Sequence, residues 1–231
     1  TKDAEKLSNS FWPGPLTLIL KKKKSNICST VTANLETIAI RFADSKIFFD
    51  IITKIKKPIA APSANKSGFV SATRTSHVKQ YFKYKIDLII DSGQSKFGVE
   101  STVINLSSSP YRILRPGIIQ KEKIQKILNK RVYDHDFKNK KIISPGQFTK
   151  HYSTNTPIRM NAKKQLKGEA FLSFGENKSF GHDNLNLSSE GNLEEAAHNL
   201  FDYLIQLDKL NKITIAVSPI PNEGLGKVIN D

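Results

Sequence analysis

A single cysteine, Cys28, in 231 residues leaves no partner for an intrachain disulfide and no second thiol for a cysteine metal cluster. That usage fits a reducing cytoplasm. No run of about 18 apolar residues occurs, which excludes a helical membrane span. The opening residues, Thr1-Lys2-Asp3-Ala4-Glu5, lack the apolar centre of a secretory signal. His77, His135, His151, His182 and His198 are scattered without paired spacing, and no His-Glu-x-x-His pattern is present, so no metal ligands are assigned. Cys28 has no base beside it in sequence, which argues against a cysteine nucleophile, and no catalytic residue is assigned. There is no Gly-x-x-x-x-Gly-Lys-Ser/Thr loop, so any nucleotide is held in some way other than the Walker manner.

Positive charge is what the chain has in excess. The net charge of +15 is uneven: residues 1–130 carry +14, residues 131–157 carry +3 and residues 158–231 carry −2. Such asymmetry points to an anionic partner of the first unit, whether nucleotide, nucleic acid or both. Lysines outnumber arginines 30 to 6, so solvated surface is an equal reading, above all for the run Lys21 to Lys24.

The pattern along the chain is mixed α/β. Helices are expected over residues 3–10, from a Ser45 cap through Ile55, over 75–82 and over 121–128. Strands are expected at 16–20, 37–41, 86–90, 101–106 and 111–114. Together they make a first domain, residues 1–130. Residues 131–157 are polar, basic and longer than an ordinary connector, the signature of a linker or a functional arm. Residues 158–231 read as a small second α/β unit, with strands at 169–174 and 214–217, a helix over 193–210 and a last helix opened by Gly224-Leu225-Gly226.

Within this frame a few residues carry chemistry. Lys57 to Ala61 reads as a buried strand that stops at Pro62 and opens into Ser63-Ala64-Asn65-Lys66-Ser67-Gly68. Small side chains there admit an anion to backbone N–H groups, while a hydroxyl and a carboxamide add directed bonds. The same residue types also make ordinary surface turns. Arg41 ends an apolar strand, suited either to a bidentate carboxylate clamp or to a surface ion pair. Ser101 and Thr102 stand at the start of a strand, Arg115 stands where a strand breaks at Pro116-Gly117, and His151-Tyr152 lie in the linker.

Taken in order, these pieces resemble the YrdC-like family in its two-domain form, the L-threonylcarbamoyladenylate synthases. The matching residues are Phe11 to Thr17, Ile38 to Arg41, Pro58 to Gly68, Gly98 to Ile104, Ile113 to Gly117 and Ser144 to Tyr152. The resemblance implies a twisted mixed-sheet domain, a lid-like linker and a small Rossmann-like domain. It also implies a reaction in which L-threonine, bicarbonate and ATP, with Mg2+, give threonylcarbamoyl-AMP and pyrophosphate. A partner complex then passes the threonylcarbamoyl group to position 37 of tRNAs that read codons beginning with A.

By the same resemblance, Arg41, Ser101 and the Ala61 backbone hold L-threonine. Ser63 and Asn65 hold the ATP phosphates with help from Arg115, while Thr37 and Ser71 add nucleotide contacts and Tyr152 brings the linker over the nucleotide. Two departures stand out. The family's Lys-x-Arg portion has no counterpart ahead of Thr1, which makes this chain a fragment expected to be inactive alone. Arg41-Phe42-Ala43 also replaces the family's Arg-x-Pro. Rival readings are a basic tRNA or double-stranded RNA binding module and a carbamoyl-phosphate-dependent relative.

Overall fold

A computed structural model describes residues 1–23, 27–83, 85–135, 152–176 and 181–231. In chain order its elements are α1 (Lys2–Phe11), β1 (Leu16–Lys21), β2 (Thr37–Ile40), α2 (Lys46–Ile55), α3 (Thr75–Phe82), β3 (Thr102–Asn105), β4 (Arg112–Arg115) and α4 (Lys121–Leu128). They continue with β5 (Tyr133–Asp134), β6 (Ile158–Arg159), β7 (Glu169–Ser173), β8 (Asn184–Asn186), α5 (Leu193–Asp208), β9 (Thr214–Val217) and α6 (Gly226–Ile229). The chain falls into two compact units, Thr1–Pro62 with Glu100–Thr149, and Ser63–Val99 with Lys150–Asp231. Residues 63–99, placed with the first domain from sequence, therefore group with the C-terminal residues.

The first unit holds the five-stranded sheet β2-β1-β3-β4-β5. It is mixed: β1 runs antiparallel to β2 and parallel to β3, β3 antiparallel to β4, and β4 parallel to β5. The period-2 rule sorts β1 onto two faces. Leu16 and Leu18 join Ala4 and Leu7 of α1 and Ile124 and Leu128 of α4 in the main core, while Ile19 meets Val103 and Leu114 on the other face. The Ser45 hydroxyl caps α2 by accepting from the Phe48 N–H at 3.3 Å, as its position in sequence suggests.

Two expectations fail. Lys57 to Pro62 is irregular and exposed rather than a buried strand, since Pro58 and Pro62 lack the N–H a ladder needs. Ile86 to Ile90 is irregular as well, with Leu88 74% exposed; apolar character alone makes no strand without a neighbour to pair with.

The second unit is built on the parallel sheet β6-β9-β7-β8. Every residue of β7 is buried, the continuous pattern of a strand covered on both faces. Helix α5 starts where the Asn192 side chain accepts from the Glu194 and Glu195 N–H groups, and it buries Ala196, Ala197, Leu200, Phe201, Leu204 and Ile205. This is the Rossmann-like α/β domain the resemblance implies.

Candidate functional site

The polar cluster of the first unit gathers where β1, β3 and β4 lie side by side. Thr17 is the one polar residue in the apolar run of β1, and its Oγ1 stands 2.9 Å from Ser101 Oγ. From β4, Arg115 donates through Nη2 to Ser101 Oγ at 2.8 Å and through Nε to the Ser101 carbonyl at 3.0 Å. The β3–β4 register shifts between Val103 and Ile104, a bulge that sets Arg115 opposite Val103. Glu100 Oε2 lies 3.5 Å from the same guanidinium. Ser101 is 4% exposed, so its hydroxyl, already accepting from Arg115, keeps its own proton to give to Thr17 or to a ligand.

Gly117 makes this packing possible. A Cβ there would stand 2.4 Å from the Thr102 N and 2.6 Å from the Glu100 carbonyl oxygen, so only glycine lets the chain after β4 cross the backbone that carries Ser101. Removing the Ser101 hydroxyl leaves an Arg115 donor and Thr17 without their partner. Ser101→Ala is therefore expected to lower stability by about 1–2 kcal/mol, read from the urea midpoint at unchanged m-value.

Arg41 follows β2 directly and is exposed. Desolvation pushes its guanidinium below the ordinary arginine value, Glu100 opposes that, and the like charge of Arg115 adds to it. An exposed arginine so perturbed is still a cation at neutral pH. Arg41, Glu100, Ser101 and Arg115 thus form one electrostatic neighbourhood, and among the described residues no hydrogen bond engages the Arg41 guanidinium. Thr37 begins β2, and the four residue steps from it to Arg41 put it about 13 Å away along the strand, outside this cluster. Ala61 lies in exposed, irregular chain.

The other candidates belong to the second unit. Ser63 is exposed, and Ser71 is half-buried. Asn65 Nδ2 donates to the Lys66 carbonyl at 2.9 Å and to the Phe69 carbonyl at 2.8 Å, while its buried Oδ1 finds no hydrogen-bond partner among the described residues. In this orientation Asn65 offers an acceptor, which suits a ligand hydroxyl, amino group or water better than a phosphate oxygen. Tyr152 takes φ 53°, and its ring lies 5.0 Å from that of Phe201. Ser144 to His151 lie outside the described residues.

The same unit holds a buried polar group. Asp202 of α5, 1% exposed, accepts from Arg74 at 2.7 Å and faces His77 Nε2 at 3.3 Å. His77 Nδ1 accepts from the Thr73 N–H at 3.3 Å. Burial pushes the His77 imidazole below its usual value, Asp202 opposes this, and Lys209 and Arg74 reinforce it. The unfolded chain then binds a proton near pH ~6.5 that the folded chain still refuses, so stability drops as pH falls through that value. Thermal midpoints are expected to be flat above pH ~7 and to decline below ~6.5, and His77→Gln is expected to shrink that decline.

Sequence reasoning passed over Thr17, Glu100 and the Arg74–His77–Asp202 group. Thr17 had one signal, a lone hydroxyl inside an apolar strand; Asp202 had none, because its partners lie more than 120 residues away.

Comparison with known proteins adds to this geometry. Residues 1–117 match the family model of Sua5, YciO and YrdC proteins, described as Telomere recombination, and residues 119–231 match the model of the threonylcarbamoyl-AMP synthase C-terminal domain. The chain is 33% identical over 248 residues to a threonylcarbamoyl-AMP synthase of Pyrococcus abyssi, covering 99% of this chain and 72% of the relative. It is 41% identical over 157 residues to that of Bacillus subtilis, covering 67% of this chain and 45% of the relative. Among solved structures, P. abyssi Sua5 complexed with L-threonine superposes with a TM-score of 0.88 at 31% identity, covering all of this chain and 72% of that one. A P. abyssi Sua5 in which a histidine and the tyrosine after it are replaced by alanine gives 0.81 at 29% identity.

Proposed function

We propose, from the premise that the chain belongs to the threonylcarbamoyl-AMP synthase family, that it makes threonylcarbamoyl-AMP from L-threonine, bicarbonate and ATP. The amine of threonine attacks the bicarbonate carbon with loss of water, giving a carbamate. A carbamate oxygen then bonds to the α-phosphorus of ATP as the bond to pyrophosphate breaks. No side chain has to form a covalent bond; the protein positions the reactants and balances their charge.

The observation that supports this reading best is the gathering of Arg41, Glu100, Ser101 and Arg115 at one end of the first sheet. Arg41 is proposed to clamp the threonine carboxylate. Ser101, its hydroxyl braced by Arg115, would supply a donor to the same ligand. Arg115 is then a support for Ser101 at least as much as a phosphate contact, because its guanidinium already spans Ser101 and Glu100. Ser63, Asn65 and Ser71 are proposed to meet the nucleotide, with Asn65 accepting through Oδ1. Tyr152 would lie over it and shield a mixed anhydride that water destroys.

Among the described residues no group of three or more His, Cys, Asp or Glu gathers to hold a metal. Mg2+ is accordingly proposed to arrive on the ATP phosphates, needing no dedicated protein cage. The product would pass to a complex that modifies tRNA, in a reducing cytoplasm. Among the described residues no helix is long and apolar enough to cross a membrane. The comparisons do not favour the RNA-binding module.

Isothermal titration of L-threonine and of ATP into the full-length protein, followed by pyrophosphate release, tests the proposal. Saturable binding of both, with release that needs threonine and bicarbonate together, is the expected result. A folded protein that binds neither would overturn it.

A further inference from the structure

We infer that Asp202, buried on α5 in the C-terminal family domain, is a positioning residue for the proposed nucleotide loop: through Arg74 and His77 it fixes the strand of chain that carries Ser63, Asn65 and Ser71, and so sets the affinity for ATP. The inference rests on the reading of that loop as the nucleotide site.

The family boundary near residue 118 and the physical boundary do not coincide. Residues 63–99 belong by family to the first domain, yet they pack with residues 150–231. What joins them is specific. The Thr73 N–H donates to His77 Nδ1, and His77 Nε2 comes within 3.3 Å of Asp202 Oδ1 without hydrogen-bond geometry, so that oxygen has no hydrogen-bond partner among the described residues. Arg74 supplies the other carboxylate oxygen at 2.7 Å. Neighbouring contacts run without a break back to the loop. Tyr81 donates to the Val70 carbonyl at 2.8 Å, the Val70 N–H to Ser153, and the Ser153 N–H to the Gly68 carbonyl at 2.8 Å. Asn65 closes the series through Phe69.

A second fixed point lies one turn earlier on the same stripe of α5. His198 Nδ1 stands 2.9 Å from the Lys96 carbonyl oxygen, and Gly98 packs directly on the helix backbone. A buried carboxylate is a poor way to add stability, since an apolar residue of similar size often does as well. It is a good way to select one arrangement, because its hydrogen bond is made only where Arg74 is placed as it is, with His77 close against the other oxygen. The C-terminal domain thus becomes part of the nucleotide site while its own side chain stays out of a ligand's reach.

The experiment uses the full-length protein. Asp202→Asn, which keeps the shape and loses the charge, is expected to weaken ATP binding about tenfold with the L-threonine Kd unchanged, and to raise the ATP KM far more than it lowers kcat. Amide exchange over residues 65–74 should quicken while β7 and β9 exchange as in the wild type. Asp202→Glu should recover part of the affinity. His77→Gln, which retains a donor, provides a milder version should Asp202→Asn fold poorly. An ATP Kd and an exchange rate over residues 65–74 equal to wild type would overturn the inference. A wild type that binds no ATP would instead overturn the nucleotide reading, and the inference with it.

Discussion

Replacing Arg41 with alanine is expected to weaken L-threonine binding by about 100-fold while the ATP Kd stays within about twofold, as titration of each ligand would show. Truncating one partner of a buried hydrogen-bonded charge pair costs about 2–5 kcal/mol. The Arg41 guanidinium is already partly desolvated and a bound carboxylate would cover it further, so about 3 kcal/mol is the apt figure, and that is about two decades in Kd. The reason for singling out Arg41 is the state of its neighbour. Arg115 is already committed to Ser101 and Glu100, whereas Arg41 stands at the end of β2 with no hydrogen bond to its fork among the described residues. Arg41→Lys should recover only part of the loss, because an ammonium keeps the charge without the two parallel donors. Unchanged threonine binding in Arg41→Ala would place the carboxylate elsewhere.

Gly98→Ala is the second large effect, and it acts on stability. A Cβ at residue 98 would stand 1.8 Å from the His198 carbonyl oxygen and 2.4 Å from that of Ala197, both backbone atoms of α5 that cannot swing aside. Overpacking of this kind costs about 1–3 kcal/mol and sometimes more, and a clash with helix backbone belongs at the upper end. About 3 kcal/mol corresponds to a fall of roughly 10 °C in the melting temperature of a chain this long. Gly93→Ala provides the contrast. Its φ of 82° is strained for alanine, but no atom lies within 4 Å of the added carbon, so only about 1 kcal/mol of backbone strain is expected. Equal melting temperatures for the two variants would show that the close approach at Gly98 relaxes cheaply.

Local signals were readable where the physics is local. The apolar spacing of α5, the hydroxyl cap of α2 and the alternation in β1 each declare themselves within about ten residues, and each element is present. The strands β5, β6 and β8 have only two or three residues, too few to show a period. The run Ile86 to Ile90 looked like a strand because apolar residues suffice for the pattern, whereas a strand also needs an edge to pair with. Arg41 and Arg115 were legible as cations at strand ends. That Arg115 spends its guanidinium on Ser101 was not, since it depends on a bulge in β3. The membership of residues 63–99 was beyond reach for the same reason: it is decided by residues such as Asp202, far along the chain.

The interleaving of the two units bears on how the protein is made. A ribosome releases about 5–20 residues per second. Leu16 pairs with Thr102, so the middle of the first sheet waits for roughly 4–17 s of translation before its partner strand exists. Residues 63–99 emerge during that wait, but the helix that receives them, with Asp202, follows about as much later again. The first unit can therefore mature only once the chain has reached residue 149, and the loop carrying Ser63 and Asn65 finds its place later still. A chain halted between residues 135 and 190 would carry every strand of the first sheet and an unmoored loop.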